Sequence, residues 1–511
     1  MQKSPFRAIV LIVRREWYEE KKMAVLGKLL EKISYECVCG TLEREVTDIV
    51  YDSRKVTAGC MFVCIPGAKA DGHIFAKDAV ASGAAALLVE REVELPAGAD
   101  VTVIRVGDTH YAMAFVSAAY FDYPAEQMKI IGITGTKGKT TTTYLVKSIL
   151  EQAGRKVGLI GTIETIIGEE HIPAQNTTPQ SYLVQKYFRR MADAGCDTVV
   201  MEVSSQGLML HRTQGFIFDF GIFTNLEPDH IGENEHKDFA DYLHCKSLLF
   251  KQCRVGIVNR DDAHWEEVTK DCTCQLETYG IDTPADLRAE DITFLNEGGT
   301  LGMAFMAKGL VELPVKTASP GKFSVYNALT AIAICRHFGV REESIKRALA
   351  AAQVKGRTEM VKVSDDFTLM IDYAHNAMAL KSLLETLRAY KPHRLVCLFG
   401  CGGNRAKSRR YEMGEVSGRM ADLTIITSDN PRTEEPQAII EDIKTGIGKT
   451  EGKYVEICDR KEAIAYAIAH GEPGDIIVLA GKGHEDYQEI NGVKYPMDER
   501  VLIREILEEQ S

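Results

Sequence analysis

The sequence contains no apolar run that approaches the roughly 20 residues of a membrane-spanning helix. Its N-terminal stretch "AIVLIV" stops after six residues and runs into "RREWYEEKK", which makes a poor signal peptide. Any C-x-x-C pair is also absent. The 13 cysteines are scattered, and the two C-x-C pairs, Cys37/Cys39 and Cys272/Cys274, lack the further ligands a zinc site needs. They read as reduced thiols that serve mostly as small apolar fillers. Positive charge is in short supply, with 61 Lys and Arg against 73 Asp and Glu and a net charge of −12. That balance argues against a general nucleic-acid binder, which needs a basic face, but leaves room for a basic pocket around an anionic ligand. There is no short internal repeat and no low-complexity segment. The expectation is a cytoplasmic monomer with no nucleic-acid partner and no membrane span. Met23, opening "MAVLGKLLEKI", suits a start as well as the first residue does, with residues 1–22 then a dispensable extension.

At 511 residues the chain is too long for one core, and about 150 residues per domain suggests about three. Patterning supplies the boundaries. Residues 23–124 carry short strands and helices, among them "MFVCIPG", "HIFAKDAVASGA" and "AALLVE". The helical "YAMAFVSAAYFDYP" closes that block at Pro124. Residues 125–353 open with the strand "KIIGIT", a glycine-rich loop, the helix "TTTYLVKSILEQAG" and a returning strand "KVGLIGT", the order of a βαβ unit with a parallel sheet. Residues 354–511 alternate again, through "TLMIDYA", "RLVCLFG", "LTIITS" and "DIIVLAGKG", as a second doubly wound domain. The fold class expected is α/β in three domains.

The loop "GITGTKGKTTT", residues 132–142, has the chemistry of a phosphate cradle. Gly135 and Gly138 let backbone N–H groups crowd around phosphate oxygens, Lys139 supplies mobile positive charge, and the hydroxyl of Thr140 suits Mg²⁺. The spacing departs from G-x-x-x-x-G-K-[ST], because position 133 is Ile. The alternative is a glycine-rich strand–helix turn. Glu202 ends the buried strand of "VMEVSSQGL" and faces the crevice of an α/β sheet, as a metal ligand or as a solvated acid. "FGIFTNLEPDHIG" offers Asp229 and His230 at another strand end. Lys246, in "DYLHCKSLLF", reads unaided as a solvated lysine on an amphipathic helix.

Taken together, "GTKGKTTT", "EVSS", "TNLEPDH" and the Y-x-x-x-K of Tyr242–Lys246 resemble, in order, the motifs of the Mur ligase family, over essentially the whole chain after Met23. The resemblance implies an N-terminal uridine-nucleotide domain, a central ATPase domain of P-loop type and a C-terminal Rossmann-like domain. It places ATP on Gly135, Thr136, Lys137, Gly138, Lys139, Thr140 and Thr141, with Asn327, Arg357 and Asp372 near adenine or ribose. It makes Lys139, Glu202, His230 and Lys246 catalytic. It assigns Mg²⁺ to Thr140, Glu202, His230 and Lys246, the lysine acting as its N6-carboxy (carbamylated) form.

The match narrows to the branch of the family that adds the third residue of the peptide. "YDSRKVTAGCMFVCIPGAKADGHIF" resembles that branch's uridine-nucleotide module, with Ser53 on the UDP portion. "NTTPQS" makes Thr177 and Thr178 candidates for sugar and peptide contact, beside Ser204 and Arg212. In "GCGGNR", "SDNPRTEEP" and "GKGHEDYQ", three strand ends present Arg405, Asp429, Asn430, Pro431, Arg432, Gly481 and Glu485. An arginine fork suits a carboxylate and a glutamate suits an ammonium. D-N-P-R resembles the version of that branch that takes meso-diaminopimelate, which implies that Arg432 would clasp the extra carboxylate, whereas lysine-using relatives usually lack that arginine. The competing reading pairs Arg432 with Glu434 or Glu435.

Four departures from the family pattern stand out: Gln206 for a histidine, His236 two residues further on than usual, "DYAHNAM" for "DYAHTPD", and Lys137 for an asparagine. The activity implied is ATP-dependent amide formation through an acyl phosphate on the D-glutamate γ-carboxylate of UDP-MurNAc-L-Ala-D-Glu, with a hinge near Val354–Arg357. The alternatives are L-lysine or another amino acid as substrate, a folylpolyglutamate or cyanophycin type of ligase, and an ATP-dependent switch that binds the muropeptide without ligating it.

Overall fold

The computed structural model describes residues 23–67, 70–229, 231–232, 235–297 and 299–509. Two compact units divide at Tyr123/Pro124. In the first, a five-stranded sheet runs in the order Glu36–Cys39, Thr102–Arg105, Ala86–Val89, Met61–Val63, Ile49–Val50, parallel except for the first pair. Its long helix, Thr109–Tyr120, starts where the Asp108 carboxylate accepts from Tyr111 N at 2.8 Å, a side-chain N-cap. It ends where Asp122 and Tyr123 turn left-handed, with φ of 59° and 48°. "HIFAKDAVASGA", which patterns as one helix, is split into a 3₁₀ turn, Gly72–Phe75, and a short α-helix, Ala76–Ala81. Asp71 caps the first piece through His73 N and binds the imidazole as well.

The second unit contains two large sheets and a two-stranded one, Tyr487–Ile490 paired with Val493–Pro496. The largest has eleven strands, and its parallel centre runs Val157–Ile160, Thr198–Glu202, Lys129–Thr134, Phe218–Phe223, Cys253–Asn259, Gln275–Gly280. "KIIGIT" reads as an unbroken apolar run because both of its faces are covered, and Ile130, Ile131 and Ile133 are all buried. The helix Lys139–Gln152 packs Val146, Ile149 and Leu150 against the helix Lys322–Arg336, which contributes Val325, Leu329 and Ile332 to the same core. Each such fully buried side chain stabilises by about 1.5–3 kcal/mol. Parallel pairing brings the C-terminal ends of these strands to one edge, where Thr134, Glu202 and Phe223 each lead into a loop of the site. The antiparallel extension Leu287–Thr317 has no clear signature in the sequence pattern.

The other large sheet runs Glu359–Val361, Thr368–Asp372, Ile476–Ala480, Leu395–Phe399, Leu423–Ile426, Tyr454–Glu456, parallel after the first edge pair. The last strand in sequence lies between the first two of the alternating block, so the order reverses there. Such a switch point opens a ligand crevice at the carboxyl ends of the strands. Asp372, Phe399, Ile426 and Ala480 end on that rim. Among the described residues no helix is long and apolar enough to cross a membrane.

Candidate functional site

The glycine-rich loop is shaped by two positions that other residues would not fit. Gly135 and Gly138 have φ of 142° and 86°, the region that penalises a Cβ. A Cβ on Gly138 would stand 2.7 Å from Asn327 Oδ1, and one on Gly135 would overlap Thr224 Oγ1. The "TNLE" segment braces the loop from below. Thr136 N donates to Asn225 O at 2.9 Å, Lys137 N to Asn225 Oδ1 at 2.8 Å, and Thr224 Oγ1 to Lys137 O at 2.7 Å. Lys137, one of the four departures, forms an ion pair with Glu227 at 2.6 Å and so ties the loop to the same segment. Thr136 Oγ1 meets the Tyr242 hydroxyl at 3.0 Å. Thr141 is half-buried on the first turn of the helix.

Lys139 Nζ donates to Gly135 O at 2.8 Å and Thr136 O at 3.1 Å. Lys246 Nζ donates to the same Gly135 O at 2.9 Å. Far from being solvated, Lys246 is 1% exposed. The helix Phe239–Ser247 directs it inward behind the loop, with its ammonium 4.5 Å from the centre of the Tyr242 ring. Burial pushes the Lys246 ammonium well below the usual lysine range, and the adjacent Lys139 charge adds to this while Asp229 opposes it. Desolvation also lowers Lys139, against the pull of Glu202. Two amines converging on one carbonyl in a dry site favour an uncharged amine on one of them.

Glu202 is fully buried at the end of its strand. Thr162 N at 2.8 Å donates to Oε1, while Thr162 Oγ1 and Thr140 Oγ1, each at 3.0 Å, donate to Oε2. A hydroxyl and a carboxylate this close are hard oxygen donors of the kind Mg²⁺ takes. His230 lies outside the described residues. His236 is wholly buried, with Nδ1 3.1 Å from Asp241 Oδ2 and Nε2 2.8 Å from Ser205 Oγ. It anchors the segment ahead of the Lys246 helix to the start of the helix Ser205–Met209, which Gln206 shares. Among the described residues His236, Asp241 and Cys245 are the one set of three such groups whose ligand atoms lie within 4.8 Å of each other. Their nitrogen and sulfur donors suit a softer ion than Mg²⁺.

The "NTTPQS" segment passes beside Glu202. Thr177 Oγ1 lies 3.0 Å from Thr162 Oγ1. Thr178 is fully buried, and its hydroxyl donates to Glu202 O at 2.9 Å and accepts from Ser204 N at 2.9 Å. It therefore braces the strand end and offers no surface to a ligand. Ser204 caps the following helix by accepting from Gly207 N, and Arg212 Nη1 donates to Thr178 O at 2.9 Å. In the first unit Ser53 begins a 3₁₀ turn capped by Asp52.

Asn327 projects from its helix so that Oδ1 accepts from Thr142 Oγ1 at 3.3 Å. Arg357 lies over the Tyr373 ring at 4.8 Å, and its Nε is buried without a hydrogen-bond partner among the described residues. His484 and His375 flank that ring, each 4.6 Å from its centre. Burial beside Arg357 pushes His484 down to about 4. Asp372 Oδ2 accepts from Thr358 N and Oδ1 from Ala374 N, both at 2.8 Å. Desolvation still raises its carboxyl above the usual range.

On the C-terminal rim the structure brings together most of the residues singled out in the sequence, around one that was not. Lys482 is fully buried, and its Nζ donates to Glu485 Oε2 at 2.8 Å, to Asn430 Oδ1 at 2.9 Å and to Tyr487 O. Asn430 Nδ2 donates to the same Glu485 oxygen at 2.9 Å. Burial alone would raise the Glu485 carboxyl, but Lys482 and Asn430 hold it below the usual range, as a carboxylate. Asp429 Oδ1 accepts from Asn430 N at 2.6 Å, and Gly481, with φ of 105°, passes so close that a Cβ there would meet Asp429 Oδ2 at 3.0 Å.

Pro431 O lies against Gly403. Arg432 itself adopts φ of 54°. It pairs with Glu489, Nε to Oε2 at 3.1 Å, and donates from Nη1 to Gly403 O at 2.7 Å. The expected competing partners are otherwise placed: Glu434 binds Arg410, and Glu435 precedes the next helix. Arg405 is exposed on the adjoining loop. Lys482 carried no sequence signal beyond its place between two glycines of "GKGHEDYQ".

Models of three domains match the chain: the Mur ligase family catalytic domain over residues 45–121, the Mur ligase middle domain over 133–335, and the Mur ligase glutamate ligase domain over 356–483. A protein of Clostridium acetobutylicum named UDP-N-acetylmuramoyl-L-alanyl-D-glutamate–2,6-diaminopimelate ligase 1 is 43% identical over 95% of this chain and 99% of its own. A ligase of the same name, without the numeral, from Caldanaerobacter subterraneus subsp. tengcongensis is 41% identical over 95% and 99%. A solved structure of a UDP-N-acetylmuramoyl-L-alanyl-D-glutamate–2,6-diaminopimelate ligase superimposes with a TM-score of 0.70 at 28% identity, covering 96% of this chain and 99% of that one. With its motifs in order on one sheet edge and relatives of this similarity along nearly its full length, the chain belongs to the Mur ligase family.

Proposed function

We propose that the protein is an ATP-dependent amide ligase that joins meso-diaminopimelate to the γ-carboxylate of D-glutamate in UDP-MurNAc-L-Ala-D-Glu, in cytoplasmic synthesis of peptidoglycan precursor. The observation that carries the reading is the convergence of Lys139 and Lys246 on Gly135 O beside the buried Thr140–Glu202 pair. A carboxylate cannot be attacked by an amine until an oxygen is made into a leaving group. The γ-phosphoryl group of ATP passes to that oxygen, giving an acyl phosphate and ADP. The amine then attacks the carbonyl carbon, inorganic phosphate leaves, and the amine loses its proton.

In this reading the loop amides and Lys139 stabilise charge on the moving phosphoryl group. Thr140, Glu202, His230 and Lys246 are the residues that would hold Mg²⁺. The ion would neutralise the phosphates and the approaching carboxylate. Lys246 would contribute as a carbamate, formed when its amine bonds the carbon of CO₂ and releases a proton. The burial that lowers its basicity supplies the uncharged amine this needs. Asn327, Arg357 and Asp372 hold the nucleoside. The segment Val354–Arg357 acts as the hinge by which domain 354–511 closes over domain 125–353 and excludes water from the acyl phosphate. Domain 23–124, with Ser53, takes the uridine nucleotide.

Specificity rests on the C-terminal rim. Glu485, held as a carboxylate by Lys482, receives the distal ammonium, and Arg432 receives the distal carboxylate through Nη2, which makes no hydrogen bond among the described residues. L-lysine would engage Glu485 and leave Arg432 unused, so it is the second reading.

The test is phosphate release from ATP with UDP-MurNAc-dipeptide, comparing meso-diaminopimelate, L-lysine and no amine, with mass detection of the tripeptide. Release and product with diaminopimelate alone are expected. Product with lysine instead keeps the ligase and overturns the assignment of Arg432. Phosphate release that needs no amine points to the switch.

A further inference from the structure

Three of the thiols that look like apolar fillers in the sequence, Cys253, Cys272 and Cys274, are gathered in one place. Cys253 opens the strand Cys253–Asn259, and Cys274 directly precedes its neighbour Gln275–Gly280. Parallel pairing of Val255 with Gln275 makes the two cysteines diagonal neighbours at the N-terminal ends of adjacent strands. A strand spacing of about 4.8 Å and a rise of about 3.3 Å per residue put such Cα atoms roughly 6 Å apart, and although a one-residue offset in regular strands would turn the side chains to opposite faces, Cys274 stands just ahead of its strand and packs on the same cluster as Cys253. The Cys274 thiol lies near enough to those of Cys253 and Cys272 to shift with them.

All three pack on the same apolar cluster as Leu249 and Phe250. The backbone makes room for the sulfurs: a Cβ on Gly221 would stand 2.7 Å from Cys253 Sγ, and one on Gly256 would stand 3.0 Å from Cys274 Sγ. Cys253 is buried, whereas Cys272 and Cys274 are partly open to solvent. The contact with Cys253 lowers the Cys274 thiol, to about 7, and raises that of Cys253, which burial raises as well. A thiolate with a protonated thiol beside it and a path to solvent is the arrangement of a reactive cysteine with its resolving partner. The phosphate loop follows the opposite, C-terminal end of the same parallel strands, so this cluster lies apart from the ligase site.

We propose that Cys253, Cys272 and Cys274 form a hydroperoxide-reactive thiol site, with Cys274 the attacking sulfur and Cys253 its resolving partner. The Cys274 thiolate attacks one peroxide oxygen, the O–O bond breaks, and hydroxide (or an alkoxide) leaves, giving a sulfenic acid. Cys253 then loses its proton and attacks the Cys274 sulfur, hydroxide leaves, and a disulfide forms. Two thiols are oxidised and one peroxide is reduced. The bond ties together the N-terminal ends of two neighbouring strands of the central sheet.

Mass spectrometry of the full-length protein treated with stoichiometric hydrogen peroxide tests this directly. Trypsin releases Cys253 in a peptide of residues 252–254 and Cys274 in one of residues 271–288. The expected result is these two peptides joined and lighter by two hydrogens. A bridge inside peptide 271–288 would replace Cys253 by Cys272 as the partner and overturn that assignment. No bridge, with Cys37, Cys39 and Cys458 oxidised as fast, overturns the site.

Alkylation by iodoacetamide at pH 7 is expected to be about tenfold faster at Cys274 than at those three exposed thiols, following the thiolate fraction. Its pH profile in the unaltered protein should have a midpoint near 7. Cys253→Ala should move that midpoint up by about a unit or more toward a free thiol. A midpoint above 8 in the unaltered protein overturns the proposal without recourse to any variant.

Discussion

Lys246 and Lys482 are both buried lysines, 1% and 0% exposed, and both sit behind a glycine-rich strand end, but their surroundings differ in one respect. Lys482 has a carboxylate, Glu485, at 2.8 Å, with Asn430 Oδ1 and a carbonyl completing its acceptors. Lys246 has a carbonyl at 2.9 Å, an aromatic face, and the charge of another lysine near it. Taking an ammonium out of water costs several kcal/mol, which a close carboxylate offsets and a single carbonyl does not. The first arrangement is a strut that keeps Glu485 ionised and in position. The second leaves an amine that gives up its proton more readily than a solvated lysine. Burial by itself therefore says little about what a lysine does, and the identity of its partner says most of it.

The widest separation between the two is expected in catalysis. Lys246→Ala should lower tripeptide formation by about 10³-fold with little change in the denaturation midpoint, and a short-chain carboxylic acid in the assay should restore part of it. Lys482→Met should show the reverse emphasis. It leaves the half-buried Glu485 without its cation and should cost about 2–3 kcal/mol in urea unfolding, and no added acid should restore the turnover lost. Adding Glu485→Gln to Lys482→Met should recover most of the stability and none of the preference for a diamine. Rescue of Lys482→Met by carboxylic acid, or its absence for Lys246→Ala, would erase the distinction. A smaller effect is expected at Arg432, where Arg432→Ala removes a charged hydrogen bond worth about 1.5–3 kcal/mol. That is a KM for diaminopimelate higher by about 10- to 100-fold, with kcat and the response to L-lysine unchanged.

The two lysines also differ in how far the sequence discloses them. The parallel sheets and their strand ends follow from apolar runs punctuated by glycine, and the loop glycines are needed for reasons of backbone conformation that any sequence reading can use. Lys246 on its own helix looks like a surface residue, because the pattern "DYLHCKSLLF" does not reveal that Tyr242 and Cys245 turn the same face inward. Only the order of motifs along the chain singled it out. Lys482 was missed because its role depends on Asn430 and on the Tyr487 carbonyl, brought to it by the return of the last parallel strand to the middle of its sheet. The acid that Arg432 meets is hidden for the same reason: Glu489 is distant in sequence, while Glu434 and Glu435, which the competing reading offered, are close. Thr178 is the opposite case, a polar residue of a segment expected to bind substrate whose hydroxyl is taken up inside the protein.

The aromatic stack beneath Arg357 gives the subtlest contrast with the paired Lys482. His484 is a base next to a cation, held down at about 4 by burial and by Arg357. In the folded protein it stays neutral until the pH falls to about 4, whereas in the unfolded chain it takes a proton below about 6.5. Between those values the unfolded state binds more protons, so stability falls as the pH falls through that window, and above about 6.5 the histidine contributes no slope. His484→Asn should flatten the acid side of the stability curve between about pH 6.5 and 4 and leave the neutral plateau in place. Urea midpoints measured at half-unit steps would show it. An unchanged slope in His484→Asn would mean that the acid sensitivity belongs to His375, across the Tyr373 ring, which burial also lowers.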